Sequence, residues 1–119
     1  MPIIRSDDID QTPLHDGAMY QTLVGDDAGS TPVRLGVQES PPGFTTGDHH
    51  HPYWEYVMVL NGQGTAWIDG ENDGKEVAIG PGDTMAFPPG VLHRFSVAGD
   101  EPLRTFGIHV SPDRIVLRD

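Results

Sequence analysis

Apolar residues along the chain fall in short runs separated by turn residues, and no segment shows the roughly 3.6-residue period of an amphipathic helix. Gly and Pro, 15 and 11 of 119 residues, occupy many of the junctions between runs, as in Asn61-Gly62. The pattern predicts nine short strands, at residues 19–24, 33–37, 55–60, 65–69, 75–79, 84–87, 91–97, 103–110 and 114–117. Such spacing is typical of an all-β sandwich or barrel.

Alternation within the strands predicts which side chains are buried. In 33–37 the apolar side chains share one face, which we expect to point inward and to leave Arg34 pointing outward. The polar strand neighbours of Trp67 place that ring on the outer face. In 103–110 His109 lies opposite an apolar face, so we favour a surface position for it over a proton-carrying role beside a site.

Charge and composition exclude several kinds of function. Seven Lys and Arg against 18 Asp and Glu give a net charge of −11, which argues against nucleic acid and anionic membranes as partners. Without cysteine there is no disulfide, thiolate nucleophile or cysteine-ligated metal. No apolar run resembles a signal peptide or a membrane span, so we expect a cytoplasmic protein. The length fits one domain, 17–119, preceded by an N-terminal arm or edge strand at 1–16.

The strongest chemical signal is a histidine tract, which holds three of the six histidines. In an extended chain His49, His51 and Glu55 share one side, where they form a half-site for a metal with nitrogen and oxygen ligands. His50 then points away. His93 lies on a later strand whose same-face neighbours are apolar, so it is expected to point inward. If it lies opposite the first three residues, the group becomes three imidazoles and one carboxylate.

The spacing of these residues resembles the two sequence motifs of the cupin superfamily. The first motif has glycine, two histidines, glutamate and glycine at fixed intervals, matched here by Gly43, His49, His51, Glu55 and Gly62. The second has glycine, proline, glycine and histidine, matched by Gly82, Pro88, Gly90 and His93. The asparagine that ends the second motif is replaced by Val97, which removes no ligand.

The resemblance implies a cupin jelly-roll β-barrel, the double-stranded β-helix, of the small single-domain bacterial type. It also implies that His49, His51, Glu55 and His93 hold one divalent transition metal per chain, which could be Fe, Mn, Ni, Zn or Cu. Two alternatives stand beside this interpretation. The histidine tract could be a solvated loop, or the chain could be a cupin barrel that has no metal.

The function expected from the resemblance is that of a metal-dependent cupin, more often an enzyme than not, acting on a small oxygen-rich metabolite. A dioxygenase is slightly favoured over a lyase or isomerase because the sequence offers few candidates for a general base. The alternative is a non-catalytic ligand-binding or sensor protein. A third interpretation is a barrel whose metal is only structural.

Three aromatic residues are possible substrate contacts. Tyr53 and Trp54 lie between ligands and either line the mouth of the pocket or pack under a loop. Phe95 is expected in the core or in the pocket wall.

Outward apolar side chains predict a homodimer. Trp67 and the residues Tyr56, Met58 and Leu60 lie off the ligand face and would need cover. Exchange of the N-terminal arm, 1–16, would fit such pairing, as the family resemblance implies.

Overall fold

The computed structural model describes residues 3–118, in which every strand pairs antiparallel to its neighbours. The strands are β1 (Thr12–Pro13), β2 (Met19–Val24), β3 (Arg34–Ser40), β4 (Glu55–Asn61), β5 (Gln63–Ile68), β6 (Val77–Ile79), β7 (Thr84–Phe87), β8 (His93–Ala98) and β9 (Leu103–His109). Two short 3-10 turns, Ser6–Asp8 and Asn72–Gly74, are the helical segments of this range. None of its helices is long and apolar enough to cross a membrane.

Two sheets enclose the core. The larger sheet has the order β1-β2-β3-β9-β4-β7, and the smaller has the order β6-β5-β8. From β4 onward the chain passes repeatedly between the two sheets, which is the jelly-roll arrangement predicted from the sequence. The side chains between the sheets form one apolar cluster, which includes Phe44, Val57, Val59, Phe87, Phe95 and Leu103.

The nine observed strands are not the nine predicted ones. Eight predicted strands are present, each beginning within two residues of its predicted start. The strand predicted at 114–117 is wrong, because this segment makes only an isolated bridge between Leu117 and His50. Strand β1 was missed because Thr12–Pro13 is too short to show any alternation.

The pairing register defines the inner face of the larger sheet. Directly opposed residues of an antiparallel pair point to the same side. Glu55 lies opposite both His109 and Phe87, and His109 lies opposite Arg34. The prediction that Arg34 points away from the interior is therefore wrong. The apolar residues of 33–37 lie on the outer face, because the inner face of β3 and β9 lines a polar cavity.

A glycine on β3 makes room for one side chain of that cavity. A Cβ atom at Gly36 would overlap the ring of Tyr20 and the main-chain oxygen of Gln21. Tyr20 points inward because it pairs with Gln38, which also lines the cavity. The absence of a side chain at Gly36 lets the Tyr20 phenol lie across β3.

The apolar residues from which the homodimer is predicted lie on two different surfaces. Trp67 is on β5 of the smaller sheet, with the Arg94 guanidinium 4.6 Å from its ring centre. Tyr56 and Met58 are exposed on the outer face of β4 in the larger sheet, where Trp54 stacks on Tyr56.

Candidate metal centre

Main-chain hydrogen bonds join the two motifs. The amide of His49 donates to the carbonyl of His93 at 3.1 Å, and the amide of His93 donates back at 2.9 Å. Glu55 enters from the first position of β4. Residues 51–54 are not a strand, so alternation alone does not bring the group together. The bridge between His49 and His93 does so, because the start of β8 is held against the histidine tract.

Four side chains converge at this bridge. One ligand atom from each of His49, His51, Glu55 and His93 lies within 4.8 Å of all the others. All four residues are buried. The structure thus brings together the four residues whose spacing resembled the cupin motifs, and His50 is outside the group.

The three imidazoles are held in one tautomer. In each ring Nδ1 lies within hydrogen-bond distance of a main-chain carbonyl oxygen, so Nδ1 carries the proton. The bonds run from His49 to Gly47 (2.9 Å), from His51 to Ile115 (2.6 Å) and from His93 to Val91 (3.0 Å). The lone pair of each ring is then on Nε2, where a metal would bind.

Two of these Nε2 atoms are buried without a hydrogen-bond partner. They belong to His51 and His93, and they lie 3.2 and 3.3 Å from Glu55 Oε1 without hydrogen-bond geometry. Buried polar atoms are normally paired, and leaving one unpaired costs about 1–3 kcal/mol. A divalent cation between the rings and the carboxylate would satisfy all of them. The residues present therefore fit a metal with three nitrogen ligands and one oxygen ligand.

His109 orients the Glu55 carboxylate from a buried position. The prediction of a surface position for His109 is therefore wrong. His109 is buried, and its Nε2 donates to Glu55 Oε2 at 2.8 Å. Its Nδ1 accepts a hydrogen bond of 2.6 Å from the Tyr53 hydroxyl, whose oxygen accepts from the Ile115 amide at 3.1 Å. Only Oε1 of Glu55 is left to face the metal position. His109 belongs to the site because it lies opposite Glu55 in the pairing of β4 with β9. The pattern of residues within a single strand does not reveal this pairing.

Burial and hydrogen bonding shift two pKa values at the centre. Burial alone would raise the pKa of the Glu55 carboxyl, but the hydrogen bond from His109 is the foremost contact that holds it well below its usual range. Burial lowers the pKa of His49 from 6.5 to about 4, despite the hydrogen bond to Gly47 that favours the charged ring. The centre therefore combines an ionised carboxylate with a neutral imidazole at neutral pH, the protonation states that metal binding requires.

The C-terminal segment forms one wall of the site. Besides accepting the hydrogen bond of His51, Ile115 is joined to Tyr53 through its main chain. Leu117 pairs with His50, and Arg118 Nη1 donates to the Thr46 carbonyl at 3.0 Å. The sequence pattern predicts a strand at 114–117 and gives no indication of a role in the site.

The centre opens into a small cavity. A space of about 60 Å³ touches His49, His51 and Glu55, and an adjoining space of about 180 Å³ shares Tyr20 and His109 with it. Polar side chains around the two spaces include Thr22, Arg34, Gln38, Thr46, Arg114 and Arg118.

The three residues considered as substrate contacts occupy different places. Phe95 is buried and lines the cavity. Tyr53 is buried behind His109, with its hydroxyl bonded to that ring. Trp54 is 42% exposed on the outer side, away from the cavity.

Comparison with known families identifies the fold family. The sequence model of the family described as Cupin domain matches residues 36–109, more than half of the chain. The protein therefore belongs to the cupin family. No curated protein sequence matches the chain significantly.

Several solved structures share the fold. One, described as a predicted oxalate decarboxylase from Thermotoga maritima, has a TM-score of 0.80 and 23% identity, covering 92% of this chain and 99% of the other. The polyketide cyclase RemF from Streptomyces resistomycificus has a TM-score of 0.82 and 20% identity, covering 98% of this chain and 84% of the other. A cupin 2 domain-containing protein from Halorhodospira halophila has a TM-score of 0.74 and 28% identity, covering 91% of this chain and 74% of the other.

We predict that the purified protein holds about one divalent transition metal per chain. Replacing any ligand, as in His93→Ala or Glu55→Ala, should lower occupancy sharply because the remaining groups no longer close the site. His50→Ala is the matched control and should leave occupancy unchanged. Elemental analysis measures both, and full occupancy in the His93→Ala protein would contradict the four-ligand site.

Acid should lower the free energy of unfolding of the metal-free protein. The unfolded chain takes up a proton at His49 near pH 6.5, whereas the folded chain resists it until about pH 4. Stability is therefore lost as pH falls through this window, and the depressed pKa of Glu55 extends the loss to lower pH. Urea unfolding across the window tests this, and His49→Gln should flatten the dependence. An unchanged slope in that variant would argue against the role of His49.

Removal of the support for Glu55 should also weaken metal binding. His109→Ala leaves all four ligands in place but frees the carboxylate to turn. We expect metal affinity to fall about 10–100-fold, the usual effect of losing a group that orients a ligand. Competition with a chromophoric chelator measures the change. Wild-type affinity in this variant would mean that Glu55 is held by other contacts.

Proposed function

We propose that the protein is a metal-dependent enzyme whose substrate is a small, oxygen-rich metabolite. One observation carries this proposal. Three imidazole Nε2 atoms and Glu55 Oε1 converge in a buried group that borders a cavity. Four protein ligands would not fill the coordination of a six-coordinate transition metal, so oxygen atoms of a substrate could also bind the ion.

The chain's own residues would prepare the centre for that chemistry. A bound divalent metal would supply Lewis acidity or, if it is iron or copper, redox chemistry. His109 and the main-chain carbonyls hold the ligands in fixed orientations, so little reorganisation is needed. Phe95 excludes water from one wall of the cavity.

Tyr20 favours a non-redox lyase or isomerase over a dioxygenase. The preference for oxygen chemistry came from the scarcity of proton-transferring groups in the sequence. Tyr20, however, lines both parts of the cavity, and burial raises the pKa of its hydroxyl although Arg114 and Arg34 oppose the rise. The phenol therefore stays protonated and is able to donate to a substrate oxygen. His109 is less suited, because both of its nitrogens are already bonded.

The reaction class is tested by supplying hydroxy acids and keto acids to protein loaded with zinc or with iron. We expect turnover with redox-inert zinc and no uptake of dioxygen. Tyr20→Phe should lower turnover about 100-fold or more while metal content is unchanged, and Tyr56→Phe on the outer face is the control. Turnover that needs iron and dioxygen would assign a dioxygenase. Tight binding without turnover would assign the sensor alternative.

We also propose that the protein is a homodimer that pairs through the outer face of the larger sheet. Trp54, Tyr56 and Met58 are between 37% and 42% exposed there, and Ile108 and Phe106 of β9 lie beside Tyr56 and Met58 on the same apolar face. Trp67 is on the other sheet, where Arg94 covers its ring. A second copy is the partner that a self-complementary apolar face of this kind suits.

Light scattering at micromolar concentration should give the mass of two chains. Met58→Asp should shift it toward one chain, because a carboxylate would be buried in the interface. Trp67→Glu should have no effect, since that side chain lies on the other sheet. A monomeric wild-type protein would reject the dimer, and dissociation by Trp67→Glu would place the interface elsewhere.

A further inference from the structure

Positive charge is scarce in this chain and concentrated at the cavity. The sequence has seven Lys and Arg residues and a net charge of −11. Three of the seven, Arg34, Arg114 and Arg118, line the spaces beside the metal centre. In so acidic a protein, such placement calls for an explanation in terms of what enters the cavity.

The elements that build the centre also place two of these arginines. Arg34 is on the inner face of β3, directly opposite His109. Arg114 immediately precedes Ile115, whose carbonyl accepts the hydrogen bond from His51. The two side chains share the space of about 180 Å³ with Tyr20.

Neither of these two guanidinium groups has an ion-pair partner within the described residues. Elsewhere, Arg94 is neutralised by Asp48 at 2.9 Å and Glu76 at 3.0 Å. Among residues 3–118, no carboxylate forms an ion pair with Arg34 or Arg114.

Most of their hydrogen-bond donors are available to a ligand. Arg34 gives one hydrogen bond to the Asp26 carbonyl at 2.8 Å, and no hydrogen bond of Arg114 is found within the described residues. Since each guanidinium has five N–H donors in a planar fork, nearly all of them remain available. Asp26, Asp27 and Asp113 border a separate space together with the two arginines but form no ion pair with them.

We propose that Arg34 and Arg114, with the Tyr20 hydroxyl, form a binding subsite for a carboxylate group of the substrate. A carboxylate has the planar, two-oxygen shape that the guanidinium fork matches. The substrate would then be a small carboxylic acid whose other oxygen atoms reach the metal centre. This last statement rests on the proposed function, whereas the carboxylate subsite itself does not need a metal.

The test measures binding, which separates it from any assay of turnover. Titration calorimetry on zinc-loaded and zinc-free protein would use malonate, succinate and pyruvate, with succinamide as the neutral analogue and inorganic phosphate as the alternative anion. We expect at least one carboxylate to bind and succinamide not to bind. Arg34→Gln and Arg114→Gln should each weaken binding about tenfold or more, as expected for a hydrogen bond to a charged group.

The matched control is Arg104→Gln, which makes the same change of charge on the outer face of β9. It should leave carboxylate binding unchanged. Arg114→Lys keeps the charge but loses the fork, so it should recover only part of the affinity. Thermal unfolding and zinc content, measured on every variant, show whether each is folded and whether the metal centre is intact.

The outcomes separate the two proposals. Absence of binding by every carboxylate, or equal binding in wild type and in both glutamine variants, would overturn the subsite. If phosphate binds more tightly than every carboxylate and its binding is lost in the variants, the assignment to a carboxylate is overturned. If the wild type does not retain zinc, only the proposed metal centre is contradicted. Carboxylate binding to the zinc-free protein would still support the subsite.

Discussion

The centre depends on a pair of main-chain hydrogen bonds between His49 and His93. They hold the start of β8 against a histidine tract that is itself not a regular strand. Glu55 is then brought to the same point by the pairing of β4 with β7 and β9. Because backbone pairing fixes these positions, the buried polar group costs little additional ordering beyond that of the fold itself.

The location of the ligands could be predicted from the sequence. Strand alternation, which was one reason for the prediction, does not apply to residues 51–54, because they are not a strand. The fixed spacing of His49, His51, Glu55 and His93 indicated the group through its resemblance to the cupin motifs. The inner faces of β3 and β9 were assigned wrongly, because the usual rule that the apolar face points inward fails where the interior holds a polar cavity. Arg34 and His109 were misplaced for this one reason.

The contacts that His109 and the C-terminal segment make with the site could not be predicted. The hydrogen bond from His51 to Ile115 spans 64 residues, and the one between Tyr53 and His109 spans 56. Neither has a local pattern, since each depends on where the chain returns after several turns. The C-terminal segment illustrates the point, because its composition resembles a strand while its contacts make it part of the cavity wall.

The partners of the three imidazole Nδ1 atoms are carbonyl oxygens of Gly47, Val91 and Ile115. A carbonyl is present whatever the side chain, so the outer support of these ligands is encoded by the path of the backbone and not by residue identity. Substitutions at positions such as 91 and 115 can therefore accumulate over evolution without turning the rings. Sequence drift around an unchanged centre is the expected result, and it offers a physical reason why cupin folds remain superimposable at identities as low as 20–28%.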